Sequence, residues 1–304
     1  MPRSVFIVDR FSSHATALRK EFDARFAEPR AARRDRFVWD YWNVPGQYTA
    51  LRTPAWTYFS QALYRKWHAS VVNWGRRVLG CHDISPPWMS NYVEGCGQEL
   101  HGDLPHGPWA FVFSLTPWQS RVFTGGETML LRDEVLDYWH SFVSERAIEL
   151  PDVMQFIAPK FNRLTVFDPR IPHGVRRVHG TVEPRQGRLV LHGWFVQPRP
   201  FIEGGLAAGK GSSAVSGAID DLSPAIGKAL GSLPLAGLLS LQIVVAPDGS
   251  VQRTRVLSDT TRVAGPFEAE RRAAIRAVQR RIGSWRLPRR STQTVITLPL
   301  VFAR

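Results

Sequence analysis

Three side chains in the middle of this chain are of the right type and spacing to grip one metal ion on a single face. They are His101 and Asp103, one glycine apart, and His173, which follows Asp103 by seventy residues within Ile171-Pro-His-Gly-Val. Two neutral imidazoles and one carboxylate suit iron(II), leave the ion only lightly charged by its ligands, and keep positions open for a chelating ligand and for dioxygen. Oxygen chemistry at a non-haem iron is therefore the first expectation.

A cation stands at a useful distance from the second histidine. Arg188 follows His173 by fifteen residues and opens Arg188-Leu-Val-Leu-His-Gly-Trp-Phe. Beside a metal, its planar guanidinium could take the distal carboxylate of 2-oxoglutarate through two parallel hydrogen bonds. Arg185, in a polar loop, is the second candidate. The other histidines fit ligation less well. His106 sits in a Pro-rich loop, which favours solvent or substrate contact, and His179 and His192 have no carboxylate at ligand spacing. Gly125-Gly126 reads as a turn with positive backbone angles, since no Lys-Ser/Thr follows to make a phosphate cradle.

Four blocks in order carry a resemblance. They are Tyr92-Val-Glu-Gly before His101-Gly-Asp103, Phe123-Thr-Gly-Gly-Glu-Thr128, Leu164-Thr-Val-Phe-Asp-Pro-Arg-Ile-Pro-His173-Gly-Val-Arg-Arg-Val178, and Arg188 to Phe195. This stretch resembles the Fe(II)/2-oxoglutarate-dependent oxygenase superfamily in its prolyl-4-hydroxylase-like branch. The resemblance implies a double-stranded β-helix, that is, a jelly roll or cupin-like fold, with iron(II), 2-oxoglutarate as cosubstrate and O2. It also implies His101, Asp103 and His173 as ligands, Arg188 as carboxylate anchor and Tyr92 as a pocket residue. Members that halogenate lack the carboxylate, so Asp103 implies hydroxylation or desaturation. Many prolyl hydroxylases have a tyrosine three residues before the first metal histidine, where this chain has Gln98. Ser114 is the expected substitute hydroxyl in the cosubstrate pocket.

The elements that would position these residues can be read from periodicity. Ala15, Leu18, Phe22, Phe26 and Ala31 recur at helical spacing between Ser12 and Arg34, and Phe59, Leu63, Trp67, Val71 and Trp74 do so between Trp56 and Leu79. From Met89 to Val196 short apolar runs broken by Gly, Pro and Asp predict strands over 110–115, 128–131, 164–167 and 188–196, with a helix over 133–145 between them. The fold class expected is mainly β with flanking helices, followed by a small α+β domain. Residues 1–200 form the expected oxygenase domain with its helical N-terminal region. Residues 201–223, rich in Gly, Ala and Ser, read as a flexible linker. Residues 224–304 form the second domain, with strands 239–246 and 251–258 around a Pro-Asp-Gly turn, a helix 266–282 and a last strand 293–302.

That second domain resembles the C-terminal domain of TonB-like proteins, on Leu239-Ser-Leu-Gln-Ile-Val-Val-Ala-Pro-Asp-Gly-Ser-Val, Ser284-Trp-Arg-Leu-Pro and Val295-Ile-Thr-Leu-Pro-Leu-Val-Phe. Such domains pair strands with a partner's extended segment, which implies substrate docking or a homodimer here.

Composition narrows the partners. A net charge of +13 favours anions in general, and fourteen basic against six acidic residues lie from position 205 onward. No run alternates basic residues with aromatics as a nucleic-acid groove would, so nucleic acid is not the expected partner. Two cysteines, Cys81 and Cys96, are too few for a disulfide framework and read as reduced. The opening residues lack the charged start and apolar stretch of a leader, and no window approaches eighteen uncharged apolar residues. No membrane partner and a cytoplasmic location are expected. Three functions compete: hydroxylation of a peptide or protein side chain, oxygenation of a free small molecule such as an amino acid or natural-product intermediate, and non-catalytic binding on the same fold. The first is preferred.

Overall fold

The computed structural model describes residues 4–28, 30, 38–103, 106–132, 135, 150–231, 233–263 and 265–302. The helix expected over 133–145 lies outside the described residues, as does the part of the first helical stretch beyond residue 30. The described chain falls into two compact units. One holds residues 5–71 and 84–196, and the other holds Ser4, 72–83 and 197–302.

The first unit is built on antiparallel strands: β1 (Val5–Val8), β2 (Asp40–Val44), β3 (Tyr48–Pro54), β5 (Trp88–Tyr92), β6 (Gly97–His101), β7 (Trp109–Ser114), β8 (Thr128–Leu131), β9 (Met154–Ile157), β10 (Leu164–Phe167), β11 (His173–Val175) and β12 (Arg188–Pro198). The short strand β4 (Cys81–Ile84) falls at the change between units. Their order is β1-β10-β7-β12-β5-β3-β6-β11-β8-β9, with β2 paired to β3. Five steps of that order separate β12 from β8, yet Arg188 of β12 reaches Thr128 of β8 at 3.1 Å. Phe167 of β10 likewise packs its ring 4.8 Å from that of His173 on β11. Contacts between such distant strands require the sheet to curl over on itself, which gives a mainly β unit consistent with a jelly-roll oxygenase fold.

Period-two alternation decides what each strand offers to either side. On β7, Phe111 and Phe113 lie under Trp67, at 6.5 and 5.7 Å between ring centroids, and Trp67 belongs to helix α3 (Gln61–Val78). Ala110 and Val112 line the interior of the curl. On β12, Leu189 and Leu191 are buried on one side, while Arg188, Val190, His192 and Trp194 line the interior.

Helix α1 (Ala15–Arg25) buries Ala15, Leu18 and Phe22. The helix expected over 56–79 is interrupted. A single turn, α2 (Ala55–Tyr58), ends where Phe59 adopts an extended ψ of 156°, and α3 begins at Gln61. The turn expected at Gly125-Gly126 has φ of 76° and 83°, and a Cβ at Gly125 would stand 1.8 Å from the Arg177 carbonyl oxygen. Only glycine permits that approach.

The second unit has the sheet β13-β17-β14-β15, with β16 beside β14. Its strands are β13 (Phe201–Gly204), β14 (Leu235–Val245), β15 (Val251–Asp259), β16 (Arg262–Val263) and β17 (Thr294–Phe302). The helix Glu268–Gly283 buries Ala274, Val278 and Ile282, and Val278 and Ile282 join the apolar cluster of Leu239, Leu241, Ile243, Ile296 and Leu298. Two strands around a turn, a helix and a closing strand follow the order read from the sequence. The stretch read as a flexible linker does not stay open. Phe201–Gly204 pairs with Thr294–Thr297, and Lys210–Asp220 is helical with Leu206 and Val215 buried. Small residues dominate there, but Leu206, Val215 and Ile202 supply enough apolar surface to fasten the segment to the sheet.

Candidate active site

His101 is the last residue of β6, and His173 the first of β11, and the two are direct partners in the β-ladder. Pairing places their rings 4.4 Å apart at the same end of the curl. Asp103 follows β6, where its own N–H donates to the Pro169 carbonyl and fixes the loop. One ligand atom each from His101, Asp103 and His173 lie within 4.8 Å of one another.

The protonation pattern is set by the backbone. His173 Nδ1 lies 2.8 Å from the Ile171 carbonyl and His101 Nδ1 lies 2.9 Å from the Glu99 carbonyl. A carbonyl only accepts, so each Nδ1 carries the proton and each Nε2 a lone pair. The Gln98 side-chain amide lies 3.0 Å from His101 Nε2. Both Nε2 atoms then face the Asp103 carboxylate, at 3.4 Å to Oδ1 and 3.2 Å to Oδ2. Two imidazole nitrogens and a carboxylate that converge in this way make the donor set of a cation seat.

Electrostatics point the same way. Burial pushes the Asp103 carboxyl up, but the contacts with His101 and His173 outweigh it and hold the group well below the usual carboxylate range. Burial pushes His101 down, yet Asp103 and the Glu99 carbonyl more than compensate and raise it. Trp194 donates its indole N–H to Asp103 Oδ2 at 3.2 Å and so orients the carboxylate. The donor set fits iron(II).

The triad lies in a cavity of about 620 Å³ walled by β3, β5, β7, β11 and β12. Deeper along β12, Arg188 is 1% exposed. Its guanidinium carbon lies 4.7 Å from the Tyr92 ring centre and Nη2 donates to Thr128 Oγ1, while Nε and Nη1 are buried without a partner. Burial lowers the Arg188 pKa, with Tyr92 acting in opposition. A buried guanidinium with unpartnered donors is costly unless an anion joins it. Gly126 leaves room for the Phe123 ring, since a Cβ there would stand 2.9 Å from Phe123 Cε2.

Of the residues singled out from the sequence, His101, Asp103, His173, Arg188 and Tyr92 all line this one cavity. Ser114 does not line it. As the last residue of β7 it donates its hydroxyl to the Pro159 carbonyl at 2.7 Å and accepts from the Thr116 N–H, which corrects its reading as a pocket hydroxyl. Thr128 supplies the hydroxyl beside Arg188 instead. Arg185 pairs with Glu183 at 2.9 Å and does not line the cavity either. His179 sits against Glu94 at 2.9 Å, as a loop histidine would.

The sequence reading missed Trp194, Thr128 and Arg52. Trp194 shares its side of β12 with Arg188 at even spacing, a signal that was there to use. Arg52 lies on β3, in a stretch that carried no strand reading. His192 also faces the cavity, and its Nε2 is 2.8 Å from Ser90 Oγ. Burial first, then Arg188 and Arg52, push its pKa down to about 3.

A family match agrees with this chemistry. Residues 87–196, which include the triad and Arg188, match the 2OG-Fe(II) oxygenase superfamily. No curated protein matches the chain. Among solved structures, the chain is similar to a prolyl hydroxylase from Trichoplax adhaerens in complex with a hypoxia inducible factor oxygen degradation domain peptide. The identity is 16%, over 64% of this chain and 84% of that one, with a TM-score of 0.46. A Pseudomonas putida prolyl-4-hydroxylase is 19% identical over 64% and 92% of the chains, with a TM-score of 0.43. HygX from Streptomyces hygroscopicus, with nickel, 2-oxoglutarate and hygromycin B bound, is 15% identical over 62% and 81%, with a TM-score of 0.40. Residues 87–196 thus carry an oxygenase-superfamily domain, and the chain is a 2-oxoglutarate-dependent oxygenase with iron(II) and 2-oxoglutarate as its cofactors.

Proposed function

We propose that the protein hydroxylates an unactivated C–H on a peptide or protein side chain. In this reading His101, Asp103 and His173 hold iron(II), and Arg188 holds the distal carboxylate of 2-oxoglutarate. The observation that carries it is the convergence of two imidazole Nε2 atoms and a carboxylate in the same cavity as a buried arginine with unpartnered Nε and Nη1. When bound, iron(II) and 2-oxoglutarate supply the oxidising power, with O2 consumed and succinate and carbon dioxide released. The protein's own part is to seat and orient them. The Glu99 and Ile171 carbonyls fix the imidazole tautomers, Trp194 turns the carboxylate, and Phe167, Val175 and Val190 keep water from the reacting centre. Asp103 occupies the position a halide would need, which favours hydroxylation or desaturation over halogenation.

The peptide reading is supported by the cavity mouth. Gly46, Gln47, Leu100, Gly102 and His106 line it and are exposed, so a substrate larger than the cavity could lie across the rim. A free small molecule is the second reading, favoured by a volume of about 620 Å³ that would enclose one beside the cosubstrate.

For the second unit we propose a TonB C-terminal-like module that docks the substrate or a second copy of this chain. In support, β15 ends the sheet order and pairs with β14 alone among the described residues, which leaves an edge for an added strand. No helix among the described residues is long and apolar enough to cross a membrane. Cys81 and Cys96 are both free and buried, which supports a reducing, cytoplasmic setting.

Succinate release with iron(II) and 2-oxoglutarate tests the site. His101→Ala and Asp103→Ala each lower it by more than about a hundredfold. Unchanged turnover in either variant would remove the assignment. Gain of one oxygen by a peptide, but by no free amino acid, decides between the two substrate classes.

A further inference from the structure

We propose that Arg52 forms a second anion subsite of the same cavity, one that takes a carboxylate of the substrate. The inference rests on the oxygenase reading of that cavity. Arg52 is carried by β3 between two ladder partners, Ser90 on β5 and the exposed Asp40 on β2, with which it makes no ion pair, and it lines the cavity. Its guanidinium carbon is 3.6 Å from the ring centre of Trp42, 4.6 Å from Trp88 and 5.8 Å from Tyr48. Rings stabilise a cation but accept no strong hydrogen bond. Nε is buried without a partner, and no carboxylate among the described residues pairs with the group. With rings over the guanidinium, its edge is the side left for an anion, and a carboxylate meets such an edge through two parallel bonds.

Charge and count argue for the substrate as the source of that carboxylate. 2-Oxoglutarate has two, one for Arg188 and one for the metal, so an anion at Arg52 is a third. The neighbouring His192, hydrogen-bonded to Ser90, is neutral because burial and the two arginines push its pKa down to about 3. The subsite therefore carries one positive charge, which matches a carboxylate better than a phosphate dianion.

The source can be an acidic side chain of a peptide or the carboxylate of a free acid or chain end, and a titration separates them. Enzyme loaded with manganese(II) and 2-oxoglutarate under nitrogen is titrated with N-acetyl amino acids, their primary amides, and the side-chain acids N-acetyl-Asp-amide and N-acetyl-Glu-amide. The readout is tryptophan fluorescence, since Trp42 and Trp88 lie against Arg52. At least one acid saturates, and its uncharged counterpart binds about ten- to a hundredfold more weakly. Arg52→Leu removes that preference, Arg52→Lys keeps part of it, and 2-oxoglutarate affinity stays within about twofold in both. The side-chain acids saturate if the carboxylate is a peptide's acidic residue, and the N-acetyl acids if it is a free or terminal one. The proposal is overturned if acids and amides bind alike, if no acid saturates, or if Arg52→Leu weakens 2-oxoglutarate instead. The parent comparison of acid with amide needs no variant to fold. A negative result leaves succinate release through His101 and Asp103 untouched, so failure here is separable from failure of the oxygenase reading.

Discussion

Among the described residues each unit buries one arginine almost completely, and the two are treated in opposite ways. Arg271 in the second unit is 3% exposed and fully engaged. Asp259 lies 2.6 Å from Nη1, Glu268 2.6 Å from Nε and 2.8 Å from Nη2, and the Thr261 hydroxyl 2.7 Å from Nη1. Glu268 leads the interactions that raise its pKa, against the opposing effect of burial. Arg188 in the first unit is 1% exposed, has only neutral hydroxyl-bearing side chains, Thr128 and Tyr92, beside it among the described residues, and has its pKa lowered by burial. One cation ties a helix to a strand end, whereas the other is held ready for an anion that the chain does not supply. A buried charge without its counter-ion marks a binding site, and one with its counter-ions marks structure.

Substitution should separate the two sharply. Arg271→Leu strands Asp259, which is 4% exposed, and costs about 3–5 kcal/mol of stability in urea unfolding, with 2-oxoglutarate binding unchanged in whatever fraction stays folded. Arg188→Leu removes an underpartnered charge. It leaves stability unchanged or slightly higher, and weakens 2-oxoglutarate by about a hundredfold in a manganese-loaded titration. Equal destabilisation by both variants would break the contrast.

How much of this was legible in the sequence follows from the range of each signal. His101, Asp103, His173 and Arg188, which line one cavity, could be singled out because a metal and a dicarboxylate would constrain residue type and order over a short motif. The strands over 128–131 and 164–167 were found because turn residues punctuate them. Arg52 was not found, since Tyr48-Thr-Ala-Leu-Arg-Thr-Pro becomes a strand only when β5 and β6 lie on either side of it. The hydroxyl beside Arg188 was misassigned for the same reason. Ser114 and Thr128 look alike in sequence, and only the curl that brings β8 to β12 selects Thr128. The ordered stretch over 201–220 was read as a tether because its few apolar residues are diluted by glycine and alanine.

His192 extends the comparison to a group that the cavity arginines hold neutral. Its folded pKa, pushed down to about 3, lies below the ordinary histidine value of 6.5. The unfolded chain therefore binds the extra proton between those two values and the folded chain does not. The stabilising contribution of neutral His192 is complete above pH 6.5 and is lost as pH falls toward 3. His192→Gln should flatten this limb of the stability curve, measured by urea unfolding across that range. Arg188→Leu takes away one of the charges that lower the pKa and should move the His192 imidazole signals upward in pH by NMR titration. A profile for His192→Gln parallel to the parent would show that the imidazole contributes no proton linkage.

The smallest effect tests whether Arg188 is aimed or merely buried. Thr128 Oγ1 accepts a hydrogen bond from its Nη2, and the opposite wall of the curl carries it. Thr128→Val keeps the shape of the side chain but removes the acceptor, so one more guanidinium nitrogen lacks a partner in the ligand-free cavity. A loss of about 1 kcal/mol in stability follows from that orphaned donor. Bound 2-oxoglutarate would supply acceptors of its own, so the deficit should shrink when unfolding is repeated with saturating cosubstrate, by more than ligand binding shifts the parent. If the arginine relied on Thr128 only for packing, the valine variant would match the parent with and without 2-oxoglutarate.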